Sequence, residues 1–217
     1  MTINHHPSEE LLLDYAAGGL TEAWSLAVAT HLALCPTCRR AVASMEAVAG
    51  SLVENILPVP VSDGVLDAVL RRLESDPAIS EVATHGNAGG HPLIPRPLRG
   101  YVGSEVDAVA WKRLGMGAYQ CLIPTGDNAT ARLLRIPAGR PVPQHTHRGL
   151  ELTLVLQGAF SDATGKYNAG DFQEADEQLS HRPHAAEAED CICLAVTEAP
   201  LRFKSLAARL AQPFLGI

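Results

Sequence analysis

Two groups of metal-ligand residue types flank a stretch too rich in Gly and Pro to be regular. His31-Leu-Ala-Leu-Cys35-Pro-Thr-Cys38 precedes it, and His145-Thr-His147-Arg-Gly-Leu-Glu151 follows it. Residues 76–100 pass through Gly86-Asn-Ala-Gly-Gly-His-Pro and Ile94-Pro-Arg-Pro, where missing amide donors and fixed or over-free backbone angles oppose both helix and strand. The chain of 217 residues has room for two small domains. The expected division is an N-terminal part over 1–80, a linker over 81–100 and a C-terminal part over 101–217.

The N-terminal part reads as helical. Ser8 followed by Glu9 and Glu10 starts a first helix, with Leu11, Leu12, Tyr15 and Ala16 as its stripe and Gly18-Gly19 as its stop. Thr21 opens a second helix through Trp24, Leu26, Val28 and Leu32. It must stop near Cys35, because the residue before Pro36 avoids helical angles. Pro36 suits the first position of a third helix, about 36–53, carrying Val42, Met45, Val48 and Leu52, and Ser62-Asp63 can start a fourth with Val65, Leu66, Val69, Leu70 and Leu73 on one face. The expectation is a small helical bundle. After the linker, short alternating runs (118–123, 130–136, 151–157 and 191–196) alternate with turn clusters, as in an antiparallel sandwich or barrel, and a last helix is expected over 205–211.

Charge separates the halves as well. Residues 1–84 hold 11 acidic and 4 basic groups, so the formal net charge of −7 lies entirely there. An acidic helical surface disfavours nucleic acid as a direct partner and favours a basic protein. The N-terminus lacks the basic start and apolar run of a secretory leader, and no stretch of about 20 apolar residues could span a membrane. A cytoplasmic protein is expected, and in that reducing compartment five cysteines, two of them in C-x-x-C beside a histidine, favour metal over disulfides.

His31 and Cys35 are four residues apart on one helix side, and Cys38 follows at the start of the third helix, so three soft donors converge. The amides and positive dipole end of that helix should lower the cysteine pKa values. A closed Zn2+ site needs a fourth ligand, with His6 the best candidate and His5 its rival. A redox role for C-P-T-C lacks the parallel-sheet context such motifs have. This pattern resembles the zinc-binding anti-sigma domain, an N-terminal His followed by H-x-x-x-C-x-x-C, matched by His6, His31, Cys35 and Cys38 over about residues 1–80. The resemblance implies binding to an extracytoplasmic-function-type sigma factor as a heterodimer.

In the second group strand parity matters. His145, His147 and Glu151 project from one face of an extended chain, giving a three-ligand site for a divalent transition metal, zinc or another. Leu150, Leu152, Leu154 and Leu156 then share the opposite face, which must be covered by a second sheet, the C-terminal helix, another domain or a second copy. Residues 139–158, G-x5-H-x-H-x3-E-x6-G, resemble the first cupin motif. The second resembles Tyr167-Asn-Ala-Gly170-Asp171 leading to His181, with His184 as competitor because the usual Pro-x-Gly is missing. Cys191, Cys193 and Cys121 read as small core residues, and His85 and His91 as solvated linker residues.

A helical zinc module followed by a cupin resembles the ChrR family of anti-sigma factors over nearly the whole chain. The fold class expected is thus α+β multidomain, a small zinc-stabilised helical bundle plus an all-β cupin jelly roll. The resemblance implies a regulator, not an enzyme, whose cupin metal is required for release of the sigma factor under singlet-oxygen or organic-peroxide stress. Two other readings compete: a cupin-type metalloenzyme, dioxygenase-like, with an appended zinc module, and a structural or carbohydrate-binding cupin.

Overall fold

The computed structural model describes residues 2–75, 93–115, 117–126 and 128–203. The final helix expected over 205–211, His85, His91 and most of the linker lie outside the described residues.

Local sequence starts and stops the helices as expected. Ser8 caps α1 (Glu9–Ala16) by accepting from Leu11 N, and Glu9 and Glu10 occupy the first turn. α2 (Glu22–Leu34) ends because Cys35, at φ −106° and ψ 104°, has left helical geometry before Pro36, which opens α3 (Pro36–Glu54). α4 spans Val65–Ser75 and α5 spans Arg96–Val102.

Contacts divide the chain differently from the linker. Met1–Ala47 and Pro92–Ile217 form one compact unit, and Val48–His91 form another. In α3 and α4, Val48, Leu52, Leu66 and Leu73 are solvent-exposed, and α4 buries none of its residues. Periodicity reports only that such a face is apolar, not what covers it.

The β part contains a six-stranded antiparallel sheet in the order β1-β2-β3-β10-β5-β8, a three-stranded sheet β7-β6-β9 and a two-stranded sheet β11-β4. The long strands are β2 (Ala118–Ile123), β3 (Thr130–Ile136), β5 (Glu151–Gln157) and β10 (Cys191–Thr197), within one residue of the alternating runs in the sequence. The shorter ones are β1 (Lys112–Gly115), β4 (His145–Thr146), β6 (Ala159–Ser161), β7 (Lys166–Asn168), β8 (Phe172–Ala175), β9 (His184–Ala185) and β11 (Arg202–Phe203). Their two to four residues are too few to show a period. Inside the jelly roll, Ile136, Val155 and Cys191 of the large sheet pack on Phe160, Tyr167 and Ala185 of the three-stranded sheet. Gly158 makes the β5–β6 corner at φ +69°, where a Cβ would meet the Asp190 carbonyl oxygen at 2.5 Å.

The outer face of the large sheet answers the leucine question. Leu152, Leu154 and Leu156 of β5, with Leu133, Leu194 and Val196, share one core with Leu11, Trp24, Leu26, Val28, Ile94 and Leu98. α2 packs directly on β5 and β10 and on α5. This explains why α2 is apolar all round and buried on nearly every side. Each leucine so buried contributes about 1.5–3 kcal/mol. Helices α1, α2 and α5 thus cover the outer face of the large sheet.

Candidate metal centres

His6, His31, Cys35 and Cys38 come together, with one donor atom from each within 4.8 Å of the others. α2 supplies His31 and its C-terminal turn Cys35, the first turn of α3 supplies Cys38, and the extended segment before α1 supplies His6. His31 Nδ1 is 3.1 Å from the Gly170 carbonyl oxygen, an acceptor, so it carries the hydrogen and leaves a lone pair on Nε2, which faces Cys38 Sγ at 3.3 Å. His6 Nδ1 lies 3.5 Å from Cys35 Sγ and 3.3 Å from Cys38 Sγ. A tetrahedral zinc site with bonds of about 2.3 Å to sulfur and about 2.05 Å to nitrogen has S···N edges of about 3.6 Å, so the cluster is spaced for such an ion.

His5 lies outside this cluster: its ring lies tilted at 40° against Tyr167 with centroids 4.4 Å apart, and its Nδ1 is 3.5 Å from Asp171 Oδ2. Burial, helped by the hydrogen bond and charge of Cys35, raises the Cys38 thiol to about 12, opposite to the lowering expected at a helix start. Burial and the neighbouring His6 likewise lower His31 to about 4. The lowered His31 is a neutral imidazole ready to ligate, whereas the raised Cys38 thiol would have to give up its proton to a bound divalent ion.

His145, His147, Glu151 and His181 form the second group, also within 4.8 Å and all buried. Sheet register builds it. His145 and His181 are directly paired, each backbone N–H donating to the other's carbonyl at 3.1 Å, which sets two residues 36 apart side by side. His145 Nδ1 donates to Pro143 O at 2.8 Å and His181 Nδ1 to Asp162 Oδ2 at 2.7 Å. The Nε2 lone pairs therefore turn inward. His181 Nε2 stands 3.0 Å from both His145 Nε2 and His147 Nε2. Lone pairs this close repel, and a cation among them relieves the repulsion. His147 Nδ1 lies 3.3 Å from Glu151 Oε2 but lacks the alignment of a hydrogen bond.

The charges fit a cation as well. Burial lowers His145 to about 4, so its ring is neutral at pH 7. Burial works against ionising Glu151, yet the three imidazoles outweigh it and hold the carboxyl below its usual value. His184, the competitor, is an exposed β9 residue whose Nδ1 bonds to Ala185 O, away from the group. A cavity of about 80 Å³, lined mainly by apolar side chains including Leu134, Ile136, Val142 and Phe160, opens beside His145, Glu151 and His181.

Sequence reading missed the supporting residues. Asp162 fixes His181 and is itself held by Thr164 and Gln173, which keep its carboxyl near 2 although burial opposes this. Only an Asp-x-Thr turn marks it in the sequence. Gly170, read only as a turn glycine, uses its carbonyl to orient His31. The cysteines are all free, and Cys191 and Cys193 line the cavity. A hydrogen bond from Cys191, with burial, keeps Cys193 well above a normal thiol pKa. No helix among the described residues is long and apolar enough to cross a membrane.

Comparison with known proteins agrees with this geometry. Residues 100–200 match the family described as the ChrR Cupin-like domain. Anti-sigma-E factor ChrR of Cereibacter sphaeroides is 52% identical over 217 residues, covering 100% of both chains. The crystal structure of Rhodobacter sphaeroides SigE in complex with the anti-sigma ChrR contains a chain 49% identical, with a TM-score of 0.80, covering 90% of this chain and 99% of that one. An RmlC-like cupin protein from Ralstonia eutropha, 21% identical at a TM-score of 0.41, covers 48% of this chain and 71% of its own. With full-length identity of this degree and both ligand groups assembled, the chain belongs to the ChrR family of anti-sigma factors.

Proposed function

We propose that this protein binds an extracytoplasmic-function-type sigma factor in the cytoplasm and holds it inactive until oxidative stress releases it. The observation that carries the reading is an uncovered apolar surface on α3, α4 and the segment between them: Val48, Leu52, Ile56, Leu57, Leu66 and Leu73 are each 64% or more exposed. A surface of that kind is stable in water only with a partner. Glu54, Asp63, Asp67 and Glu74 lie among these residues and suit the basic surface of a sigma factor. The family membership and the relative's complex with SigE support the same partner.

Residues 1–80 serve as the sigma-binding part in this reading, and 101–217 as the part that receives the signal. His6, His31, Cys35 and Cys38 would hold Zn2+, and the ion would tie the end of α2 and the start of α3 to the segment before α1. At the second site the residues that would hold a divalent transition metal are His145, His147, Glu151 and His181. Bound there, the ion supplies a Lewis-acidic centre beside the apolar cavity. The chain's own residues do the rest: Asp162 keeps His181 oriented, Pro143 O keeps His145 oriented, and the apolar wall excludes bulk water. No turnover is required of such a site.

Co-expression with extracytoplasmic-function sigma factors tests the binding. A 1:1 complex should copurify, and Leu52→Asp with Leu66→Asp should abolish it while leaving the metal content unchanged. Failure to copurify with any such factor would overturn the reading. The cavity favours the second reading, a metalloenzyme of dioxygenase type. Substrate-dependent oxygen consumption by the iron-loaded chain would support that alternative.

A further inference from the structure

Strand β8 has one face toward each metal group. Gln173 points into the jelly roll, where its Nε2 donates to Asp162 Oδ2 at 2.9 Å, the same oxygen that accepts from His181 Nδ1 at 2.7 Å. Its partner across the ladder is Thr153, whose hydroxyl donates to Glu151 Oε1 at 3.2 Å. One inward side chain of β8 is therefore one residue away from two ligands of the second site.

The outward residues and the preceding turn hold the first site. Asn4 N and His5 N donate to Asp171 Oδ1 at 2.7 and 3.0 Å, and Phe172 N donates to His5 O at 3.1 Å. Ser8 N and Oγ donate to the two oxygens of Glu174 at 2.6 and 3.1 Å. His6 lies between these anchors, and its own side-chain contacts among the described residues are those of its cluster. His31 is fixed by Gly170 O, and its ring stands edge-on to Phe172 at 5.6 Å. Both histidines of the first site thus take their positions from residues 170–174.

We propose that β8 is a shared wall that couples the two metal sites, with Asp171 and Glu174 as positioning residues for His6 and Gln173 as the contact that reports the state of the second site. Alternation along a strand makes this possible. Successive residues face opposite sides, so a shift of Gln173 that follows Asp162 moves Phe172 and Glu174 with it. Close packing on both faces passes the shift on without absorbing it. Coupling of this kind is reciprocal: filling the second site alters zinc affinity at the first by the same factor as the converse.

The inference rests on both groups holding metal, and the test separates the two claims. Metal per full-length chain is counted first, then zinc transfer from the first site to a chromogenic chelator is followed with the second site filled or emptied by His147→Ala. Emptying should change the transfer equilibrium by roughly 5- to 100-fold. Gln173→Leu should bind two metals yet bring that ratio close to one. Glu174→Gln, on the outer face, should loosen zinc at the first site while leaving metal affinity at the second within a few-fold. Two bound metals with no dependence of the first on the second would overturn the coupling alone. Fewer than two metals in the wild-type chain would overturn the metal reading and the coupling with it. Should Gln173→Leu fail to fold, the wild-type ratio and the Glu174→Gln release decide the matter, and a ratio of one is fatal.

Discussion

The two ligand groups are alike in number and opposite in construction. The first takes two sulfurs and two nitrogens from helix ends and an extended segment, and one ligand, His6, is exposed. The second takes three nitrogens and an oxygen from a sheet, and every ligand is buried. A site made of chain ends needs its ion to stay closed, whereas one made by sheet register keeps its shape from the ladder. Metal at the first site should therefore contribute to folding and partner binding, and metal at the second to sensing.

The largest effect should come from Cys35→Ser or Cys38→Ser. Structural zinc binding is worth on the order of 10 kcal/mol in small domains. Loss of one thiolate should remove zinc, free the segment before α1 and end sigma binding, as read by zinc per chain and copurification. By contrast, Glu151→Gln or His145→Ala should empty only the second site, lower the melting temperature modestly, keep the sigma complex and block its release by singlet oxygen or organic peroxide in a reporter strain. Equal release by both kinds of variant would erase the distinction.

A smaller effect is expected from Asp162→Asn. It keeps all four ligands but weakens the support of His181, which should reduce metal affinity at the second site about 10- to 100-fold in competition with a chelator. Acid should act on the joint between the sites. Burial opposes ionisation of Asp171, but the N–H groups of Asn168, His5 and Asn4 outweigh it and lower its pKa in the folded chain. The unfolded state therefore binds its proton at higher pH than the folded one. The stabilisation is fully present above about pH 4 and is lost as pH falls through the lower folded value. Protection of the Asn4 and His5 amides, corrected for the intrinsic pH dependence of exchange, should stay high from pH 7 to 5 and fall only below that range. Asp171→Asn should lower that protection from pH 7 to 5 and differ little from the wild type in acid. The smallest effect belongs to the half-exposed Arg135–Asp190 pair at 2.8 Å, where Asp190→Ala should cost less than about 1 kcal/mol.

Much of this was legible in the sequence because the relevant signals are local. Ser8, Pro36 and the Gly18-Gly19 stop delimit helices through their own backbone chemistry. The spacing of His145, His147 and Glu151 marked them as one ligand group, but a bend at 148–149, with Gly149 at φ +89°, and not the parity of a single strand brings them together. Other features had no local signal. His145 and His181 meet through a pairing across 36 residues, and Asp162 reaches His181 only because the strands around it close. The exposed faces of α3 and α4 have the same hydrophobic periodicity as a buried face, so spacing alone does not distinguish the two.

The sequence by itself determined the helix limits, the long strands, the three-ligand cores of His31, Cys35 and Cys38 and of His145, His147 and Glu151, and the leucine row that had to be covered, since each follows from spacing along one segment. Only the tertiary structure decided what covers that row, that His6 rather than His5 joins the first cluster, and that the wall between the two clusters is β8. Those outcomes depend on which distant surfaces bury each other. Strand alternation puts a second set of contacts on the far face of β8, where no spacing along the chain points to them.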